Sequence, residues 1–159
     1  MKKVVNFREI DEIAKQLSKA IKSGDFIALI GELGTGKTTF VKELAKNLGI
    51  KENIKSPTFT YVKEYKTEND IPFYHFDVYR IGNSEEVYEI GYEDYINSNG
   101  IVVVEWADLI KDELPENYIQ IELGYYDELD RTIEIKIIGD EKRAEEIIQN
   151  VNFRNWYIN

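Results

Sequence analysis

Apolar positions along this chain follow two periods, and the chain switches between them repeatedly. Ile10, Ile13, Ala14, Leu17, Ala20 and Ile21 fall on one face of a helix. Asn6 precedes that face as an N-cap, with Glu9 three residues on completing a capping box, and the helix is expected to end near Gly24. Asp25–Ile30 is a short unbroken apolar run, the pattern of a strand buried on both faces. Thr39–Leu48 returns to helical spacing, and Gly49 stands where a helix C-cap belongs. Thr58–Tyr65 and Phe73–Tyr79 are rich in β-formers and flank the turn-like Thr67-Glu68-Asn69-Asp70, which predicts an antiparallel hairpin. A short acidic helix is expected at Ser84–Ile90, and a helical or irregular stretch at Tyr92–Asn97. Ile101–Glu105 is the second unbroken apolar run, and it ends on a carboxylate. Tyr118–Leu123 and Arg131–Ile138 alternate as strands joined through Tyr125-Tyr126-Asp127, and residues 140–150 are expected to be helical. The tail Val151–Asn159, with Phe153, Trp156 and Tyr157, matches no element.

Between the first buried strand and its helix lies Gly31-Glu32-Leu33-Gly34-Thr35-Gly36-Lys37-Thr38, which fits the P-loop pattern G-x-x-x-x-G-K-[ST]. Glycine lets the backbone wrap closely around phosphate oxygens. Successive N–H groups then form an anion nest at the positive end of a helix. Lys37 would reach the β- and γ-phosphates and Thr38 would ligate Mg²⁺. Right-handed crossovers between parallel strands put such a loop at the carboxyl end of a sheet. The expected fold is therefore α/β: a P-loop NTPase-like three-layer sandwich with a mixed, partly parallel central sheet. One domain is expected over residues 1–159, with a core of about 5–138 and a C-terminal helix and tail over about 139–159.

Composition narrows the setting. A length of 159 residues with 43% hydrophobic and 31% charged positions suits one globular domain. The absence of cysteine removes disulfides, thiolate metal sites and thiol nucleophiles. No apolar run is long enough for a signal peptide or a membrane span, so a cytoplasmic location is expected. A net charge of −10 argues against a broad grip on a phosphate backbone, so nucleic acid is expected to be held by a partner.

Hydrolysis needs more than a cradle: a metal relay and a group that places water. Glu105 ends a strand of β-branched residues, where a carboxylate would hold Mg²⁺ or orient the attacking water; otherwise it is an ordinary acid facing solvent. In His75-Phe76-Asp77-Val78-Tyr79-Arg80, strand geometry puts His75, Asp77 and Tyr79 on one face. Asp77 is a candidate metal anchor or general base, against the plainer reading of a solvated strand face. His75, the single histidine, reads as a hydrogen-bonded structural residue. Arg80 fits either a phosphate contact or an ion pair. Thr58 and Thr60 follow Pro57 where P-loop switch proteins place a threonine that senses γ-phosphate and Mg²⁺. No Asn-Lys-x-Asp is present to read guanine, which favours adenine or weak base selectivity.

Four motifs occur in order: Gly-Glu-Leu-Gly-Thr-Gly-Lys-Thr-Thr (31–39), Ser-Pro-Thr-Phe-Thr (56–60), His-Phe-Asp-Val-Tyr-Arg (75–80) and Val-Glu-Trp-Ala (104–107). Together they resemble the TsaE family of small bacterial ATPases, formerly called YjeE. The resemblance implies an ATPase required for threonylcarbamoyladenosine modification of tRNA, acting on a TsaB–TsaD complex, with tRNA contacted only through that partner. It implies that Gly31, Gly34, Thr35, Gly36, Lys37, Thr38 and Thr39 form the phosphate site of ATP, and that Thr38 and Glu105 hold Mg²⁺. It further implies that Thr58 is the switch threonine, that Asp77 assists hydrolysis, that Trp106 sits beside the nucleotide and that Arg131 closes over it. Two other classes share the cradle: a small P-loop kinase, which would need an arginine-bearing lid not visible here, and a non-hydrolysing switch, against which Glu105 and Asp77 speak.

Overall fold

The computed structural model describes residues 2–57 and 59–151. Its elements are β1 (Lys2–Val5), α1 (Phe7–Ala20), β2 (Phe26–Ile30), α2 (Lys37–Asn47), β3 (Val62–Lys66), β4 (Pro72–Asp77), α3 (Tyr92–Ile96), β5 (Ile101–Glu105), β6 (Tyr118–Tyr125), β7 (Arg131–Ile138) and α4 (Glu141–Asn150). Two 3₁₀ segments, Ser84–Ile90 and Ala107–Glu113, fill the connections on either side of α3 and β5.

All seven strands form one sheet in the order β1-β7-β6-β2-β5-β4-β3. Its centre is parallel, β6 and β5 flanking β2 and β4 flanking β5, while β1/β7, β6/β7 and β3/β4 pair antiparallel. The alternation in β5 shows how the sheet is covered. Ile101 and Val103 join a core with Leu17 of α1, Phe40 and Leu44 of α2 and Ile147 of α4. Val102 and Val104 join a second core with Val87, Tyr92, Ala107 and Ile110. Helices α1, α2 and α4 cover one face, and α3 with the 3₁₀ segments covers the other. This is the mixed three-layer sandwich expected from the sequence.

Local chemistry explains the boundaries. Asn6 Oδ1 accepts from the Glu9 N–H at 2.9 Å and Glu9 Oε1 accepts from the Asn6 N–H at 3.3 Å, so both halves of the capping box are made. Every apolar residue predicted on the α1 face is buried. One expectation needs correction, and two details are new. The first strand of the hairpin begins at Val62 rather than position 58, because Phe59 and Thr60 turn and Tyr61 takes a left-handed backbone (φ 63°) that no strand residue adopts. The short acidic helix expected at 84–90 is present with those bounds, wound as 3₁₀. Lys2–Val5, too short and charged to read as an element, becomes an edge strand against Arg131–Glu134.

At the amino ends of the central strands, Arg143 of α4 reaches under the sheet. Its Nε donates to Asp25 Oδ1 at 3.1 Å, Nη2 donates to Asp25 Oδ2 and the Ala20 carbonyl, and Nη1 donates to Glu146 Oε2 at 2.8 Å. That clamp fixes α4 to the end of α1 and the start of β2.

Candidate nucleotide site

The carboxyl ends of β2, β4 and β5 converge on the start of α2, and a cleft of ≈ 440 Å³ opens there. Leu33, Gly34, Gly36, Lys37, Thr38 and Thr39 line one side, and Ser56, Asp77, Tyr79, Arg80, Glu105 and Trp106 the other. Gly36 is the N-cap of α2 and makes no side-chain cap bond, so the helix start turns bare N–H groups toward the cleft.

The loop from 31 to 36 is held from within. Lys37 Nζ donates to the Gly31 carbonyl at 2.5 Å and to the Glu32 carbonyl at 2.9 Å. Thr35 is fully buried and its hydroxyl donates to the Glu32 carbonyl at 2.9 Å, so it braces the loop instead of facing the cleft. Gly31 packs so closely that a Cβ would stand 2.5 Å from the Leu123 carbonyl oxygen. A Cβ on Gly34, whose φ is +81°, would stand 2.6 Å from the Tyr125 hydroxyl, which itself donates to the Leu33 carbonyl at 2.5 Å. The end of the β6–β7 hairpin thus pins the tip of the loop.

Lys37 is 5% exposed, and its ammonium lies 3.9 Å from the centroid of the Trp106 ring. Burial pushes its pKa below the usual lysine range, while the carboxylates of Glu105, Asp77 and Asp108 push back. Trp106 adopts a left-handed backbone (φ 62°) directly after β5, which turns its ring across the cleft to pack on Tyr79 at 4.7 Å between centroids.

Register brings the acids together. Asp77 pairs with Glu105 across β4 and β5, and His75 pairs with Val103, so all three side chains share the face toward α2. Glu105 is 2% exposed and accepts from the Thr38 hydroxyl at 2.7 Å. Its other oxygen lies 2.5 Å from His75 Nε2. Asp77 is buried rather than solvated; Ser56 donates to Oδ2 at 2.7 Å and the Tyr79 N–H donates to Oδ1 at 3.0 Å.

Of the candidate residues, Gly34, Gly36, Lys37, Thr38, Thr39, Asp77, Glu105 and Trp106 meet at the cleft. Gly31 and Thr35 shape its loop from behind. Arg131 does not line the cleft: it stacks on Tyr125 at 4.7 Å and donates to the Asp127 and Asp130 carbonyls. Arg80 lines the cleft and lies 4.8 Å over the Phe59 ring. Thr58 lies outside the described residues, as does the tail with Phe153, Trp156 and Tyr157. Sequence reasoning missed the bracing of Glu105 by His75, the contact of Ser56 with Asp77 and the latch from Tyr125. The alternation in residues 75–79 was the available signal for the first; the other two depend on long-range contacts that no local pattern records.

Among the described residues, no helix is long and apolar enough to cross a membrane. No group of three or more His, Cys, Asp and Glu side chains gathers among them into a metal cage.

A G-x-x-x-x-G-K-T loop joining the central strand of a mixed, helix-covered sheet to its helix makes this an α/β protein of the P-loop NTPase-like fold. Residues 4–133 match the family described as "Threonylcarbamoyl adenosine biosynthesis protein TsaE". The tRNA threonylcarbamoyladenosine biosynthesis protein TsaE of Bacillus subtilis is 39% identical over 155 residues, covering 96% of each chain. The protein of the same description from Rickettsia felis is 37% identical over 145 residues, 91% of this chain and 84% of that one. The crystal structure of Bacillus subtilis YdiB is similar with a TM-score of 0.73 at 33% identity, covering 98% of this chain and 96% of that chain. The chain belongs to the TsaE family of threonylcarbamoyladenosine biosynthesis proteins.

Proposed function

We propose that this chain is a Mg²⁺-dependent ATPase that serves threonylcarbamoyladenosine modification of tRNA, acting on a TsaB–TsaD complex through a switch set by ATP. The observation that carries this reading is the 2.7 Å bond from Thr38 to Glu105, which brings a hydroxyl from α2 and a carboxylate from β5 to one point of the phosphate cleft. Oxygen donors of that kind suit Mg²⁺, which binds through one or two carboxylates and leaves its other positions to phosphate and water. Thr38 and Glu105 would hold it, and when bound it would neutralise charge on the phosphate oxygens.

The chain's own groups divide the remaining work. Lys37 exchanges the Gly31 and Glu32 carbonyls for phosphate oxygens, aided by the N–H groups at the start of α2. Asp77, its carboxylate oriented by Ser56 and the Tyr79 N–H, is the group that orients the attacking water. Trp106, packed on Lys37 and on Tyr79, offers an aromatic wall beside the nucleotide. The net charge of −10 fits a protein whose partner holds the tRNA. The switch belongs to the segment 56–60, next to Asp77 through Ser56.

Glu105→Gln tests the enzyme reading: it should keep ATP binding and lose most partner-stimulated hydrolysis, and wild-type turnover at saturating Mg²⁺ would overturn it. Partner affinity measured with ATP, with ADP and without nucleotide tests the switch, which equal affinity in all three states would overturn.

A further inference from the structure

Both oxygens of the Glu105 carboxylate are engaged, from opposite sides. Oε1 accepts from Thr38 on α2, and Oε2 meets His75 Nε2 on the adjacent strand β4. His75 is fully buried, and its Nδ1 has no hydrogen-bond partner among the described residues. That asymmetry decides which nitrogen carries the hydrogen. A hydrogen on Nδ1 would be a buried donor without an acceptor, and Nε2 would then present a lone pair to a carboxylate oxygen. A hydrogen on Nε2 satisfies the contact, so the imidazole donates to Glu105. Between these two donors the carboxylate cannot rotate away from Thr38 without losing one of them.

We infer that His75 is a positioning residue for the divalent-cation site, holding Glu105 in the orientation that meets the Thr38 hydroxyl. The inference rests on the metal reading of Thr38 and Glu105 proposed above. Groups that orient a metal-binding carboxylate are typically worth about 10–100-fold in metal affinity.

The chain has 1 histidine, so its ring nitrogens give unambiguous NMR signals. The wild-type protein should show the hydrogen on Nε2; a hydrogen on Nδ1 would overturn the inference without any substitution. Two variants then separate the donated hydrogen from packing. In His75→Gln the amide nitrogen falls near the place of Nε2, whereas in His75→Asn it falls near that of Nδ1. Mn²⁺ affinity, read by electron paramagnetic resonance with a non-hydrolysable ATP analogue, should fall about 10–100-fold in His75→Asn and be largely restored in His75→Gln. Equal loss in both, or wild-type affinity in His75→Asn while Glu105→Gln loses the metal, would overturn the positioning role and leave the metal reading standing. Undiminished Mn²⁺ binding by Glu105→Gln would remove the metal reading, and the inference with it. Should His75→Asn fail to fold, the tautomer and the His75→Gln affinity decide.

Discussion

The two ends of the central strands bury charge to opposite purposes. At the amino ends, Arg143 and Asp25 are each about a tenth exposed, and the guanidinium spends its donors on Asp25, Glu146 and the Ala20 carbonyl. At the carboxyl ends, Lys37, His75, Asp77 and Glu105 are also buried, yet their contacts are with loop carbonyls, hydroxyls, a backbone N–H and the imidazole ring, and three of the four border an open cleft. Charge satisfied by charge makes a fastener; charge held in place beside a cleft makes a binding surface. Burial of an ionisable side chain therefore does not mark a site. What distinguishes the functional end is that its oriented groups border an open cleft.

That contrast fails or sharpens under four substitutions. Arg143→Ala leaves Asp25 buried without its cation and should cost about 3 kcal/mol of stability. For a domain of this size the melting midpoint should drop by about 6–12 °C, with ATP affinity unchanged in calorimetry. Lys37→Ala should do the reverse, lowering ATP affinity about 10–150-fold, or about 1.5–3 kcal/mol, while the melting midpoint holds or rises. If Arg143→Ala weakened ATP as much as Lys37→Ala does, the two ends would not be independent and the comparison would collapse. Tyr125→Phe removes the hydroxyl that pins the loop tip at Leu33, and ATP affinity should fall by about fivefold, near 1 kcal/mol, with little change in melting.

The smallest effect is the pH dependence of the fastener. The hydrogen bond from Arg143, joined by Lys22, holds the Glu146 carboxyl below its ordinary pKa of 4.5. A depressed carboxylate contributes stability above its unfolded pKa and loses it as pH falls through the folded one. Between about pH 5 and pH 3, wild type should lose slightly more thermal stability than Glu146→Gln, while ATP binding titrates identically in both.

Much of this fold was legible in the chain because its strongest signals are local. The capping box at Asn6 and Glu9, the unbroken runs at 26–30 and 101–105 and the alternation in 131–138 each declare an element within a few residues. The phosphate loop was legible for the same reason: its function is backbone wrapping, and glycine spacing records that directly. What stayed hidden depends on partners distant in the chain. Lys2–Val5 becomes a strand only because β7 offers an edge. Glu105 gains its brace only through the β4–β5 register, which places His75 two residues before its partner Asp77. Arg131 lies in the hairpin, where its guanidinium stacks on Tyr125 and donates through Nη1 to the turn carbonyls, while its buried Nε has no partner among the described residues.

The contact between Tyr125 and the loop tip also constrains how this protein can change through descent. Position 34 is one of the freely variable places in G-x-x-x-x-G-K-T, so the motif itself tolerates other residues there. The left-handed backbone at Gly34 restricts the choice to glycine and, at some strain, asparagine or aspartate. The Tyr125 hydroxyl, 2.6 Å from where a Cβ would stand, would have to swing aside and give up its bond to Leu33 to admit either of those. A lineage that leaves glycine at 34 therefore gives up the latch from the tyrosine 91 positions downstream, or has already lost it. Geometry thus couples two sites on different elements, and a change at one is felt at the other.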